Sequence, residues 1–252
     1  MKHLVDNYIL SPSHPLTVAL IGVGGTGSQV LTSLGRMNYA LIQLGHPGLQ
    51  VTAYDGDIVT PANVGRQLFA EQEVGMNKAN TLVTKLNMFF GTRWESKPVY
   101  YGEESRTANI IISCVDSVKA RIDIAERIKK GEGYLDTIRT YYWIDFGNTA
   151  TTGQVVLGSA FKQIPQPDVK GEYEGYLKCI TEMFDLTNVN ESDSGPSCSL
   201  AEALSKQDLF VNSTLAQIGM AVMWKMFKSC VIDTHGVFLN LDTMKVNPIK
   251  IQ

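Results

Sequence analysis

Several kinds of segment are missing from this 252-residue chain, and each absence narrows the class of protein. No charged N-terminal region leads into an apolar core, so the sequence shows no secretory signal. The most apolar late stretch, IGMAVMWKMF, is broken by Lys225 and is too short to span a bilayer. The net charge of -3 provides no positive field for nucleic acid or an anionic membrane. We therefore expect a cytoplasmic protein without nucleic-acid or membrane partners.

Cysteine is scarce as well. The four residues Cys114, Cys179, Cys198 and Cys230 lie far apart and form no CxxC pair. This spacing argues against a zinc knuckle and a disulfide scaffold, so we expect no zinc and a reducing compartment. The hydrophobic fraction of 44% and the charged fraction of 19% are those of an ordinary globular protein.

Short apolar strands alternate with amphipathic helices along most of the chain. We predict strands at 17–22, 49–55, 94–101, 109–116, 139–147 and 151–159, and helices at 25–44, 73–90, 117–131 and 207–230. This alternation indicates an α/β fold of the Rossmann-like, doubly wound type, with a mostly parallel sheet and helices on both faces.

The remaining segments complete a single domain over residues 1–252. Residues 1–16 are predicted to be an irregular N-terminal extension, and residues 160–206 a long crossover loop region. Pro98 indicates an edge strand. Alternating apolar residues predict a C-terminal β-hairpin at 236–249.

A glycine-rich turn follows the first predicted strand. The segment GVGGTG satisfies G-x-G-x-x-G through Gly22, Gly24 and Gly27, and a predicted helix begins there. This placement allows a tight turn, close approach of the backbone, and free amides at a helix N-terminus that bind phosphate. It predicts a nucleotide site; the alternative is a tight turn without a ligand.

The segment YDGDIVTPANVGRQ at 54–67 follows the next strand. Its polar residues are Asp55, Asp57, Asn63, Arg66 and Gln67. Asp55 ends the strand, where a carboxylate can accept both ribose hydroxyls. Arg66, with Lys78 in the next helix, adds phosphate-binding cations that suit a triphosphate better than a nicotinamide dinucleotide. Each cation taken alone is more often a solvated surface residue, but their joint position favours the phosphate role.

Two more residues have both a functional and a structural interpretation. Asp116 ends the strand NIIISCVD, where it would hold Mg²⁺ beside a nucleotide or cap the helix that begins at Ser117. Cys198 precedes Ser199, which forms a capping box with Glu202. A thiol beside a helix N-terminus is a plausible nucleophile, whereas most free cysteines are small buried apolar residues.

Taken in order, GVGGTG, YDGDIVTPANVGRQ, VGMNK and CVDS resemble the motifs of the ThiF/MoeB/HesA family, relatives of ubiquitin-activating enzymes. Those motifs are GxGGxG, D-x-D-x-V-x-x-x-N-x-x-RQ, G-x-x-K and T-D-N. The resemblance extends from about residue 17 to 227. SCSLAEAL and QDLFVN add a likeness to the ThiF-like proteins of PRTRC cassettes from bacterial mobile elements.

The resemblance implies ATP-dependent adenylation. A ubiquitin-like carrier protein presents its C-terminal carboxylate to ATP and becomes an acyl adenylate with loss of pyrophosphate. It also implies Mg²⁺ and a homodimer. By position, the nucleotide-binding residues would be Gly22, Gly24, Gly25, Gly27, Asp55, Asp57, Asn63, Arg66, Gln67, Lys78 and Asp116. Arg66, Lys78 and Asp116 would act in catalysis, with Asp116 on the metal. Cys198 would accept the acyl group.

The chain also departs from the family pattern. Relatives often begin with R-x-x-R-Q, which reaches into the partner subunit's site, but residues 1–15 contain no arginine. T-D-N reads V-D-S here, with Ser117 in place of asparagine. A catalytically degenerate nucleotide-binding module that docks a partner therefore stays open. A third alternative, an NAD-dependent oxidoreductase, gives no role to Arg66, Lys78 and Asp116.

Overall fold

The computed structural model describes residues 1–102, 104–131, 138–186 and 200–252. The strands in these ranges are β1 (His3–Leu4), β2 (Leu16–Ile21), β3 (Leu49–Tyr54), β4 (Glu95–Lys97), β5 (Ile110–Ser113), β6 (Tyr142–Asn148), β7 (Thr152–Gly158), β8 (Val231–Ile232), β9 (Thr234–Asn240) and β10 (Lys245–Lys250). The helices are α1 (Asn7–Leu10), α2 (Gly25–Gln43), α3 (Lys78–Phe90), α4 (Val118–Lys130), α5 (Ile180–Met183), α6 (Leu200–Lys206) and α7 (Val211–Ser229).

Within the described residues the central sheet has eight strands, in the order β10-β9-β7-β6-β5-β2-β3-β4. The strands from β4 to β6 run parallel, and β7, β9 and β10 are antiparallel. β4 forms an edge and precedes Pro98, and β9 and β10 form the C-terminal hairpin, as predicted. The Rossmann-like, mostly parallel fold is thereby confirmed.

Alternate residues of the inner strands pack on opposite faces of the sheet. In β2, Val18 and Leu20 belong to one buried cluster, whereas Ala19 and Ile21 belong to the other. Helices α2, α3 and α7 cover the first face, and α4 and α5 cover the second. Because a strand covered on both faces must be apolar throughout, the runs LTVALI and IIIS mark the sheet in the sequence. No helix in the described ranges is long and apolar enough to cross a membrane.

Two predicted helices begin later than expected. The helix predicted at 73–90 starts at Lys78, where the Asn77 side chain accepts the backbone N–H of Asn80 at 3.0 Å. Gly75, with a φ of +89°, separates it from a 3₁₀ turn at Glu71–Glu73. The helix predicted at 207–230 starts at Val211. The apolar periodicity predicts both helices, but the residues at which they begin depend on local capping and turn chemistry.

The prediction that residues 1–16 are irregular is wrong. Within this segment β1 pairs antiparallel with β8, and α1 follows it. The backbone of Lys2 donates to Glu172 and accepts from Glu174, both at 2.8 Å, so the N-terminus is attached to the crossover region. That region also contains α5 and α6. The N-terminal segment therefore lies within the fold of its own chain.

A buried histidine, His3, stabilises the contact between the N-terminal segment and the crossover region. His3 is fully buried; its Nδ1 donates to the carbonyl oxygen of Glu174 at 2.7 Å, and its Nε2 accepts from the Tyr142 hydroxyl at 2.9 Å. The Tyr142 oxygen in turn accepts the backbone N–H of Asp6. Desolvation lowers the pKa of His3 below 6.5, although the charges of Glu174 and Asp6 oppose it. Burial lowers the pKa of His235 in the same direction.

We expect the free energy of unfolding to fall as the pH drops below about 6.5 and approaches the folded-state pKa values of His3 and His235. The unfolded chain binds protons there that the folded chain does not, at up to about 1.4 kcal/mol per pH unit for each histidine. Urea unfolding at about pH 7.5 and about pH 5.5 measures the difference. His3→Gln and His235→Gln should each reduce it, because each removes one histidine whose pKa burial lowers. An undiminished difference in both variants would contradict the assignment.

Candidate functional site

The glycine turn joins the end of β2 to the N-terminus of α2. Gly22 has a φ of +83°, and a Cβ there would lie 2.8 Å from the carbonyl oxygen of Cys114. A Cβ on Gly27 would lie 1.9 Å from the carbonyl oxygen of Gly22. The first amides of α2, which begins at Gly25, have no intrahelical partner. This end of α2 is therefore suited to bind an anion.

Neighbouring parallel strands direct polar residues toward this turn. Asp55 and Asp57 follow β3, Tyr100 follows β4, Asp116 follows β5, and Asn148 ends β6. Because the carboxyl ends of parallel strands meet at one edge of the sheet, residues distant in sequence come together here.

Asp55 is buried and links two of these strand ends. Its Oδ2 accepts the backbone N–H of Val23 at 2.7 Å, and its Oδ1 accepts the backbone N–H of Asp57 at 2.9 Å. Burial raises the pKa of Asp55, against these two hydrogen bonds and the charge of Lys78. A carboxylate offers about four lone-pair sites, so two backbone contacts leave capacity for a ribose. The ribose role stays a prediction.

Asp57 pairs with Lys78 and Tyr100. Lys78 Nζ lies 2.9 Å from Asp57 Oδ2, and the Tyr100 hydroxyl donates to Asp57 Oδ1 at 2.7 Å. Desolvation opposes ionisation, but these two hydrogen bonds hold the pKa of Asp57 below its ordinary value. Tyr100 is not predicted from the sequence, where its one signal is an aromatic residue after an edge strand.

Arg66 differs from Lys78 because no carboxylate of the described chain pairs with it. Its Nη1 donates to Gln207 Oε1 at 2.6 Å, and its buried Nε has no partner in the described structure. Desolvation alone lowers the pKa of Arg66. Beside it, the buried Gln67 Oε1 is also without a described partner, and the Gln67 amide lies 3.9 Å from the Cβ position of Gly24. A desolvated cation without a counterion is the strongest mark of an anion site here.

The Asn63 side chain has a structural role. Its Oδ1 accepts the backbone N–H of Thr60 at 2.8 Å and the Thr60 hydroxyl at 3.1 Å, which closes the 3₁₀ turn Pro61–Asn63. Because Asn63 Oδ1 is engaged with Thr60, a contact between Asn63 and phosphate would use the amide nitrogen of Asn63. That contact stays a prediction.

Asp116 is exposed at the end of the β5–α4 connection. The alternative that it caps α4 is wrong, because Ser117 is the cap and its Oγ accepts the backbone N–H of Ala120 at 3.2 Å. The hydrogen bond to Asp57 and the charge of Asp57 are the main causes of a raised pKa of Tyr100, and the charge of Asp116 is a smaller contribution in the same direction. In the described ranges no group of three or more His, Cys, Asp or Glu side chains could hold a metal by itself.

The cysteines divide into described and undescribed positions. Cys198 lies outside the described residues, so its predicted role stays a prediction. Cys179 is buried, which raises its pKa to about 12. Burial also raises the pKa of Cys114. Neither thiol has the character of a nucleophile, since reactivity requires the thiolate.

Four further polar side chains gather at the turn and were not identified from the sequence. They are Thr26, Asn148, Gln207 and Asn212, and Thr26 donates to Asn212 Oδ1 at 2.8 Å. Gln207 and Asn212 both lie in QDLFVN, the segment on which the predicted likeness to PRTRC-associated proteins rests. That likeness is the sequence signal for Gln207 and Asn212, but it does not predict the hydrogen bond between Gln207 and Arg66, which lie 141 residues apart.

Comparisons with solved structures place this geometry among known folds. E. coli MccB with ATP superposes with a TM-score of 0.62 at 16% identity, covering 93% of this chain and 63% of that one. E. coli MccB with MccA-N7isoASN superposes with a TM-score of 0.60 at 17% identity, covering 93% of this chain and 64% of that one. PaaA superposes with a TM-score of 0.58 at 17% identity, covering 94% of this chain and 64% of that one. The chain thus spans less than two thirds of the length of each.

A search of curated proteins found no significant match. The model of the ThiF family matches residues 13–250, which include the glycine turn, the strand-end acids, Arg66 and Lys78. On that match, the chain belongs to the ThiF family.

Proposed function

We propose that this protein uses ATP to adenylate the C-terminal carboxylate of a ubiquitin-like carrier protein. The observation that carries the proposal is Arg66, a partly desolvated guanidinium without a carboxylate partner in the described chain. Structural neighbours support the nucleotide, since MccB has been solved with ATP and with AMPCPP together with MccA.

The charge arrangement favours a polyphosphate over the two bridging phosphates of a dinucleotide. Arg66 supplies a planar fork, and Lys78 at the start of α3 supplies a point charge. Asp57 is about half exposed and pairs with Lys78, so a phosphate can take its place on Lys78. When a phosphate replaces Asp57 on Lys78, Asp57 still accepts the hydrogen bond from the Tyr100 hydroxyl.

In the proposed reaction, an oxygen of the carrier carboxylate attacks the α-phosphorus of ATP. The bond from that phosphorus to the bridging oxygen breaks, and pyrophosphate leaves with the electron pair. The two anions repel each other, so the amides of α2, Arg66 and Lys78 lower the barrier by neutralising phosphate charge and holding it in place. Asp55 orients the ribose from the end of β3.

The residues present fit a magnesium ion. Mg²⁺ prefers one or two carboxylates together with phosphate oxygens, and Asp116 is an exposed carboxylate at the correct edge of the sheet. When bound, Mg²⁺ would add positive charge at the phosphates. Asp116 would then hold the ion, and the β5–α4 connection would fix the carboxylate.

A nucleotide-binding module without turnover is the second candidate. It is favoured by residues 1–15, which contain no arginine and in which β1 pairs with β8 of the same chain. An NAD-dependent oxidoreductase is third, because it gives Arg66 no ligand. The family's homodimer and acyl transfer to Cys198 belong to the proposal as further expectations.

ATP–pyrophosphate exchange with candidate ubiquitin-like carriers from the same locus tests the proposal. We expect exchange that depends on both the carrier and Mg²⁺. ATP binding without exchange for any carrier would favour the binding module. Binding of NAD in preference to ATP would favour the oxidoreductase.

Asp116→Ala is expected to reduce exchange by roughly 100-fold or more, the scale of losing one preorganised charge contact in a transition state. Calorimetry should show that Mg²⁺ no longer strengthens ATP binding. Asp123→Ala removes an exposed acid that pairs with Lys119 on α4, and it should leave both measurements unchanged. If Mg²⁺ still strengthened ATP binding by Asp116→Ala as in the wild type, Asp116 would not be the metal ligand.

A further inference from the structure

Arg66 is held by a chain of neutral side chains. Gln207 Oε1 accepts from Arg66 Nη1 at 2.6 Å and from Asn212 Nδ2 at 2.9 Å. Asn212 Oδ1 accepts from the Thr26 hydroxyl at 2.8 Å, and Thr26 lies in the first turn of α2. Thr26 and Asn212 are buried. The chain therefore connects Arg66 to the glycine turn.

The arginine determines the direction of these hydrogen bonds. A guanidinium only donates, so the Gln207 atom that faces it must be the carbonyl oxygen. Asn212 must then present its amide nitrogen to that oxygen, which leaves Asn212 Oδ1 for the Thr26 hydroxyl. The Gln207 amide nitrogen donates to the carbonyl oxygen of Thr149 at 3.3 Å. Both ends of the Gln207 amide are thus engaged.

A glutamate at position 207 would bind Arg66 more strongly. It would accept from Arg66 and Asn212 in the same geometry, and a charge-assisted hydrogen bond is roughly twice as strong as a neutral one. It would also neutralise the guanidinium. A neutral amide instead orients the guanidinium and leaves its whole charge for a ligand.

We propose that Gln207 is a positioning residue, which orients Arg66 toward the nucleotide phosphates without neutralising its charge. The inference rests on the proposed function, because it assumes that Arg66 binds phosphate. Gln207 follows α6, the helix packed over the 3₁₀ turn Pro61–Asn63 that precedes Arg66. The connection from α6 to α7 therefore completes the phosphate site from the far end of the chain.

The test is Gln207→Glu, with Ser205→Glu as its charge-matched control on the exposed surface of α6. Calorimetry measures the Kd for ATP and for inorganic triphosphate, and thermal unfolding measures the Tm. We expect Gln207→Glu to weaken both ligands by roughly tenfold or more, the scale of one charge-assisted hydrogen bond to phosphate. The stronger pairing with Arg66 and the loss of the amide donor to the Thr149 carbonyl oxygen act on the Tm in opposite directions, so the Tm should change little. Ser205→Glu should bind both ligands like the wild type.

Gln207→Leu removes the hydrogen-bond acceptor of Arg66 without adding charge, and in an Arg66→Ala background it separates orientation of the arginine from other effects. Gln207→Leu should weaken ATP binding in the otherwise wild-type protein but not in the Arg66→Ala background, because no arginine remains there to be oriented. ATP binding by Gln207→Glu equal to the Ser205→Glu control would overturn the inference, as would an equal loss of ATP binding on Gln207→Leu in both backgrounds. A wild-type protein that binds neither ATP nor triphosphate would instead remove the proposed function, and this inference with it.

Discussion

Replacing Gly27 with alanine is expected to destabilise the protein by about 2 kcal/mol and to weaken ATP binding more than tenfold. The added Cβ would stand 1.9 Å from the carbonyl oxygen of Gly22 and 3.3 Å from the Cys114 side chain. A backbone oxygen cannot move aside without shifting the turn. The helix-propensity advantage of alanine over glycine is at most about 1 kcal/mol, so the clash dominates.

Gly24→Ala is the matched control for this prediction. Its Cβ would meet nothing closer than the Gln67 amide, at 3.9 Å and 4.0 Å. We expect a smaller loss of stability than in Gly27→Ala, together with a clear loss of ATP binding, because the methyl group stands where the backbone must approach phosphate. Urea unfolding and calorimetry of both variants measure the two effects. Equal ATP affinity of Gly24→Ala and the wild type would place the phosphates away from this turn.

Removing Arg121 is expected to cost about 3–5 kcal/mol, the range for breaking a buried ion pair. Arg121 Nε lies 3.0 Å and 3.1 Å from the two carboxylate oxygens of Asp145, and both side chains are buried. Burial raises the pKa of Asp145, against the attraction of Arg121 and a hydrogen bond from Ser113. Arg121→Met would leave that carboxylate without its counterion.

The double variant Arg121→Met/Asp145→Leu should recover most of the lost stability, because it leaves no buried charge. The difference in unfolding free energy between Arg121→Met and wild type should shrink toward acid pH. Protonation of Asp145 then removes the uncompensated charge, and the histidine contributions cancel in the difference. Failure of the double variant to recover would show that packing, not charge, dominates at this site.

Arg121 also connects this pair to the candidate site. Its Nη2 donates to the carbonyl oxygen of Val115 at 2.7 Å and to that of Phe146 at 3.1 Å. Val115 immediately precedes Asp116 in the β5–α4 connection. We therefore expect the double variant to regain stability but not full ATP–pyrophosphate exchange, since the contact that fixes this connection is still missing.

The sequence by itself determined the fold class and the glycine turn, because both depend on local patterns. Apolar runs such as IIIS, covered on both faces, mark the parallel strands, and the spacing of Gly22, Gly24 and Gly27 marks the strand-to-helix turn. It also predicted Asp55 and Asp116 as strand-end residues and Asp57, Arg66 and Lys78 as further nucleotide-binding residues. Their ligands stay predictions.

The tertiary structure decided which partner each charge has. Arg66 is paired with a neutral amide 141 residues away, whereas Lys78 is paired with the acid Asp57. The same long-range packing ties His3 to Tyr142 and buries Arg121 with Asp145. Neither periodicity nor motif spacing specifies such contacts, because they depend on how distant elements pack. Whether a cation is neutralised or free to hold a ligand is therefore a property of the folded chain.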